Sequence, residues 1–258
     1  MESRISSSCL SYFSDSMSML RVLLALFVTS TLACAQNTDP FPAPPNVKGL
    51  QVQMTDDALA LGIHHAGINI NLTALYSVKS NPEKGEFVWN QNYLASLDRQ
   101  IKPLSDKGVL VYLILLTYPS KNPVVDAVTL HPAHRKDYDF SVGAPNTKKG
   151  FLTAVIDLIA ARWSGAQLQH GRVWGWIVGN EVNSHFLWNN MGPAPLETAA
   201  SEYEIGFRMA HAAIRRHSKN ARVYISFDHH WGIGMHNVSP QEAAPGRDFL
   251  DTFARFVR

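Results

Sequence analysis

Cysteine is scarce in this chain. It has two, Cys9 and Cys34, and none beyond residue 34. Everything downstream therefore lacks a disulfide, a thiol nucleophile and a thiolate metal site. An excess of charge of either sign is also missing: 23 Lys and Arg face 21 Asp and Glu, a formal net charge of +2, with no long basic or acidic run. Without an electrostatic footprint, nucleic acid and anionic membrane surfaces are not expected partners. Neutral ligands chosen by shape and hydrogen bonding fit better. No G-x-G-x-x-G or G-x-x-x-x-G-K-[ST] loop follows a strand-like segment, so a nucleotide cofactor has no cradle. No H-x-x-x-H or H-E-x-x-H pattern accompanies the paired histidines, so zinc is not expected. The pattern calls for no metal and no cofactor.

What is present begins with a short apolar stretch. Arg21 is followed by VLLALFVTSTLACAQ. A basic residue, an apolar segment and then Ala33-Cys34-Ala35 make up the three parts of a secretory signal peptide. The segment is too short for a permanent membrane span. Residues 1–35 are expected to be removed after Ala35, leaving a product without membrane attachment, secreted or periplasmic. The polar stretch before Arg21 is long for a signal, which makes Met17 or Met19 an alternative start to Met1. Residues 36–46, QNTDPFPAPPN, predict a linker with no packed structure of its own.

From residue 47 a theme repeats. Val47–Met54 alternates and predicts a strand, and Thr55-Asp56-Asp57 predicts the cap of a short helix through Leu61. Ala66–Leu72 predicts a second strand. Leu94, Leu97, Ile101 and Leu104 recur at helical spacing, with Gly108 as a stop. Residues 109–116, VLVYLILL, are apolar at every position, as in a parallel strand covered on both faces. A long loop is expected from Thr117 to about Thr147. Then come a helix over 148–163, a strand over Val173–Gly179, a helix over 197–217, a strand over Arg222–Phe227 and a helix from 246. Alternation of this kind predicts βαβ units and a parallel sheet. A (β/α)8 TIM barrel is expected, with polar residues at the C-terminal ends of its strands. Such a barrel has eight units, typically in ~250 residues, whereas about five occupy residues 47–258. The expectation is the N-terminal part of a barrel, truncated or needing a partner, of open oligomeric state.

The polar candidates stand after the strands. Asn69 and Asn71 end the second, Tyr118 follows the third, and Asn180, Glu181 and Asn183 follow the fourth. Asp228, His229, His230 and Trp231 follow the fifth. Glu181 leaves the apolar run WGWIVG, and desolvation at the end of a dry sheet would favour its protonated form, as a general acid requires. Asn180 can donate to a sugar hydroxyl. Trp231 and Trp188 offer broad faces for stacking on sugar rings; Trp174 and Trp176 belong to the core. One of His229 and His230 is expected to line the cleft, since neighbours along a strand face opposite ways. Tyr118 is expected at the substrate or packed in its loop. Asp228 is the other strand-end acid, either a second carboxyl group or a loop ion pair.

Gly179-Asn180-Glu181 at the end of a fourth strand resembles the Asn-Glu signature of the clan A glycoside hydrolases. The run from about 46 to 258 also resembles an uncharacterised family of exported bacterial glycosidase-like proteins. The resemblance implies a (β/α)8 barrel that cleaves glycosides with retention. It implies Glu181 as acid/base and Asn180 on the substrate 2-hydroxyl. The clan's nucleophile is a glutamate ending strand seven, which this chain does not reach. An arginine common near strand two is replaced in position by Asn71. Retention needs two carboxyl groups roughly 5–5.5 Å apart. The expected function is hydrolysis of an extracellular oligo- or polysaccharide by a domain incomplete as given. The alternatives are a non-catalytic carbohydrate-binding barrel, or a metal-dependent hydrolase using Asp228 with His229 or His230.

Overall fold

In the computed structural model, residues 36–77, 79–137 and 142–257 are described. The expected signal peptide over 1–35 lies outside them. The compact unit Gln36–Arg258 contains β1 (Gly49–Gln51), α1 (Thr55–Ala60), β2 (His65–Asn71), α2 (Leu72–Leu75), α3 (Gln91–Asp106) and β3 (Leu110–Leu116). It continues with α4 (Pro123–Thr129), α5 (Phe151–Ser164), β4 (Gly175–Val178), α6 (Leu196–His217), β5 (Arg222–Tyr224) and α7 (Gly246–Ala254). The strands form one sheet in the order β1-β2-β3-β4-β5, every neighbouring pair parallel. The predicted parallel α/β alternation is therefore present. The barrel is not closed: β1 and β5 pair on one side only among the described residues.

Side-chain alternation divides the sheet into two faces. Ala66, Ile68 and Ile70 of β2, Val111, Leu113 and Leu115 of β3, and Trp176 and Val178 of β4 are buried in the main core. Leu94, Leu97, Ile101 and Leu104 form the stripe of α3 that meets it. Phe151, Val155, Ile156, Ile159 and Trp163 serve α5 in the same way. The α3 helix starts where Asn90 Oδ1 accepts from Tyr93 N at 3.1 Å, and Gly108, at φ 75°, takes the left-handed turn that follows it.

The opposite face carries His65, Tyr112, Ile114, Ile177 and Tyr224, each only partly buried, together with exposed Asn69 and Arg222. Residues 109–116 are thus not covered on both sides as expected, for Tyr112 and Ile114 are only partly buried. One face lies under helices, and no second layer of described residues seals the other. Tyr112 lies across this face, stacked on His65 at 5.8 Å and 5.9 Å from the Tyr224 ring. Its register partner is Gly175, where a Cβ would fall 1.9 Å from Tyr112 Cδ1.

The stretch from Gln36 is not an unpacked tether. Asn37 is buried, its N–H donates to His217 O, and its carbonyl accepts from Lys219 N, each at 2.8 Å. Phe41 meets Trp174 edge-on at 5.8 Å, with the Arg222 guanidinium 3.8 Å from its ring centre. Proline and polar composition predicted a free chain because it carries no record of such long-range partners.

Candidate functional site

In a parallel sheet all strand C-termini share one rim, and the fourth strand shapes it most. After Val178, Gly179 has φ 74° and a Cβ there would meet Val182 Cγ1 at 2.8 Å, so conformation and space both require glycine. Two residues on, Glu181 has φ 43°, a left-handed backbone that a non-glycine residue rarely adopts. The chain holds that shape through the segment after β5. Glu181 N donates to Ser226 Oγ at 3.3 Å, Ser226 Oγ donates to Asn180 Oδ1 at 3.4 Å, and Val182 N donates to Ser226 O at 3.0 Å. Behind the turn, Tyr203 OH donates to Val178 O at 2.7 Å. Glu181 is half-buried, and no described group forms a hydrogen bond or ion pair with its carboxylate.

Asp228 is engaged quite differently. It is buried and accepts from Asn183 Nδ2 at 2.8 Å, from His230 N at 2.8 Å and from Ser184 Oγ. Its own N–H returns to Asn183 Oδ1 at 3.0 Å. Burial alone would push its carboxyl up. The bonds from Ser184, Asn183 and the His230 backbone, with the nearby His230 ring, hold it below the ordinary value instead. Asp228 thus ties the β4–α6 loop to the β5–α7 loop. The tie continues through Phe186 N to Glu242 O, Ala194 N to Gln241 O, and Ala244 N to Asn183 O, at 2.7–2.9 Å. His185 adds its ring Nε2 to Gln241 O at 2.6 Å, and burial keeps that imidazole below its usual pKa.

The remaining candidates divide. Trp231 is 49% exposed at the rim and packs edge-on against Phe227 at 5.9 Å. His229 is exposed and His230 half-buried. Their rings are 4.0 Å apart, so they do not face opposite ways. The reason is that β5 ends at Tyr224, which leaves both histidines in a bend outside strand geometry. Asn71 caps α2, its Oδ1 accepting from Thr73 N at 3.0 Å while its N–H donates to Tyr93 OH. Tyr118 is half-buried, and burial pushes its phenol up. Trp174 and Trp176 lie in the core. Among the described residues no three His, Cys, Asp or Glu side chains gather around a point where a metal could bind. Sequence reasoning missed Ser226, Ser184 and His185. No strand period marks Ser226, because β5 ends at Tyr224 and the bonds of Ser226 to Glu181 and Asn180 arise from the packing of two loops.

These features define a class: a parallel α/β domain that gathers polar and aromatic side chains on the C-terminal rim of its sheet. The chain belongs to the family of unknown function DUF5722, which matches residues 40–258. No curated protein matches it. Among solved structures it is similar to a family 1 β-glucosidase from Thermotoga maritima, with 16% identity and a TM-score of 0.42 over 67% of this chain and 36% of that one. It is also similar to the exo-β-1,4-mannosidase Op5Man5 from Opitutaceae bacterium strain TAV5, with 17% identity and a TM-score of 0.42 over 68% and 27%. A third is a β-galactosidase from the Antarctic haloarchaeon Halorubrum lacusprofundi, with 14% identity and a TM-score of 0.35 over 67% and 33%. The chain thus spans about a third of the length of these proteins. No helix of the described residues is long and apolar enough to cross a membrane.

Proposed function

We propose that this chain is a glycoside hydrolase-like domain acting on an extracellular glycan, with Glu181 as acid/base and Asn180 on a substrate hydroxyl. The observation that carries this reading is the state of Glu181. A half-buried carboxylate without a described partner stands on left-handed backbone at the end of a core strand. Strain of that kind costs roughly 1–3 kcal/mol and gathers where function needs it. Trp231 supplies an exposed ring at the same rim, suited to the apolar face of a sugar. Asp228 is not assigned as partner acid, because its oxygens are committed to Ser184, Asn183 and His230. The second carboxylate of a retaining reaction therefore comes from outside these five strands. Glu181→Gln is expected to abolish hydrolysis of aryl glycosides by the glycan-active protein while sparing sugar binding. Undiminished turnover in that variant removes the mechanism.

The commitment of Asp228 favours a second reading, a domain that binds carbohydrate without cleaving it. It predicts sugar binding by the chain alone, weakened about tenfold by Trp231→Ala as one stacking contact is lost, with no hydrolysis at any pH. Export is part of both readings. Amino-terminal sequencing of the extracellular product should begin at Gln36, and a product retaining residues 1–35 would exclude cleavage there.

A further inference from the structure

Behind the end of β4, on the helix side of the sheet, lies a cavity of about 30 Å³. Leu115, Val178, Gly179, Leu152, Phe207 and Trp188 are among the residues that line it. Its lining is mostly apolar, with Thr117, Asn189 and Tyr203 among the polar residues, and two chemistry-bearing groups meet there. His131 Nε2 and Glu202 Oε2 are 3.9 Å apart, too far for a hydrogen bond. Glu202 Oε2 is buried and accepts no hydrogen bond from any described residue. A buried acceptor of this kind calls for a donor.

The tautomer of His131 fixes what that donor must be. Ala133 N donates to His131 Nδ1 at 3.2 Å, so a neutral ring carries its proton on Nε2, facing Glu202. Burial favours that neutral ring, against the pull of Glu202 and with the help of Lys148 and His134. The cavity therefore presents one N–H donor and one carboxylate acceptor side by side. An oxygen about 2.8 Å from each satisfies both at ordinary bond lengths. A volume of roughly 10–15 Å³ suffices for a water, and this cavity exceeds it. Gly206 of α6 helps keep the space open. Neither a positive φ nor a steric contact demands glycine there, since a Cβ would approach no atom closer than 3.7 Å.

We propose that this cavity is a hydroxyl-binding site. One neutral O–H group, from water or from a small alcohol, accepts from His131 Nε2 and donates to Glu202 Oε2. The site is independent of the function proposed for Glu181. A crystal structure that resolves ordered waters, from crystals grown without alcohol, tests the water form. It should show an oxygen within about 3.2 Å of both atoms. In solution, the His131 ring N–H should give a nuclear Overhauser cross-peak at the water frequency. If dilute methanol replaces that peak with one to the methyl protons, the alcohol is the preferred source; if not, water is. An empty cavity with no cross-peak in either solvent overturns the proposal, as does a direct His131–Glu202 hydrogen bond. Glu202→Leu, which keeps the bulk and removes both oxygens, should abolish the cross-peak while leaving the His185 ring resonance in place. A cross-peak that survives in that variant also overturns it.

Discussion

Replacing Glu181 by glycine and by alanine separates backbone strain from side-chain loss. Both variants lose the carboxylate and the same few side-chain contacts, so those effects cancel between them. At φ 43°, alanine keeps the left-handed penalty, roughly 1–2 kcal/mol for any L side chain. Glycine removes it, but its unfolded chain is freer, which costs back about 0.5–1 kcal/mol. The glycine variant should therefore be the more stable of the two by up to about 1.5 kcal/mol. For a domain of this size, 1 kcal/mol moves the melting temperature by roughly 2–4 °C. Urea unfolding at pH 7, followed by tryptophan fluorescence and checked by calorimetry, resolves such a difference. A glycine variant less stable than the alanine variant by about 0.5–1 kcal/mol, the ordinary cost of its freer unfolded chain, would mean that position 181 holds no strain. The strongest support for a functional carboxylate would then be gone.

Asp98 gathers Arg162, Trp163 Nε1 and His170 Nδ1 between α3 and α5. Burial alone would raise its pKa, but these bonds and the charges of Arg162 and His170 bring it below the ordinary value. A depressed folded-state pKa gives stability that is present above the unfolded carboxyl value, about 3.9, and lost as pH falls through the folded value. Asp98→Asn should flatten that acid limb of the stability curve and cost about 1–3 kcal/mol at pH 7; an unchanged limb would contradict the assignment. Ser164→Ala should cost about 1–3 kcal/mol in chemical denaturation, because Ser164 Oγ is the buried acceptor for Trp176 Nε1 at 3.1 Å. Gly175→Ala should lower the urea midpoint by the equivalent of about 1–3 kcal/mol, since the new Cβ must displace the Tyr112 ring; Tyr112→Ala in the same chain should relieve the clash. Asp228→Asn should accelerate amide hydrogen exchange at Val182–Phe186 more than in β3, because it loosens the two rim loops without touching the core.

The order and kind of the main elements were legible in the sequence because their periodicity is strong. The stripes of α3 and α5 and the apolar runs of β2 and β3 lie within a residue or two of where spacing put them. The short α4, PVVDAVT, was hidden in an expected loop because seven residues carry too little periodicity. The fifth strand was drawn too long: RVYISF has strand composition, but Ser226 leaves the ladder to bond with Asn180 and Glu181. Position marked Glu181 as the outstanding strand-end acid, whereas its left-handed backbone depends on Ser226, 45 residues away. Asp228 shows the same limit. Its place after a strand was legible, but its commitment to Asn183 and Ser184 is a product of loop packing that no local pattern encodes.

The neighbour-by-neighbour strand order has a kinetic consequence. Each new strand docks beside the one made just before it, so the sheet can grow outward as the ribosome delivers chain. Within this five-stranded sheet each pairing joins strands consecutive in the chain, so every loop closed between them spans a single crossover. Loop-closure entropy rises only slowly with such lengths. The growing margin is always the newest strand, exposed as a pairing edge until its successor arrives. A slow codon stretch after β3 would hold that all-apolar margin open longest, making it the point in synthesis where aggregation competes most with growth of the sheet.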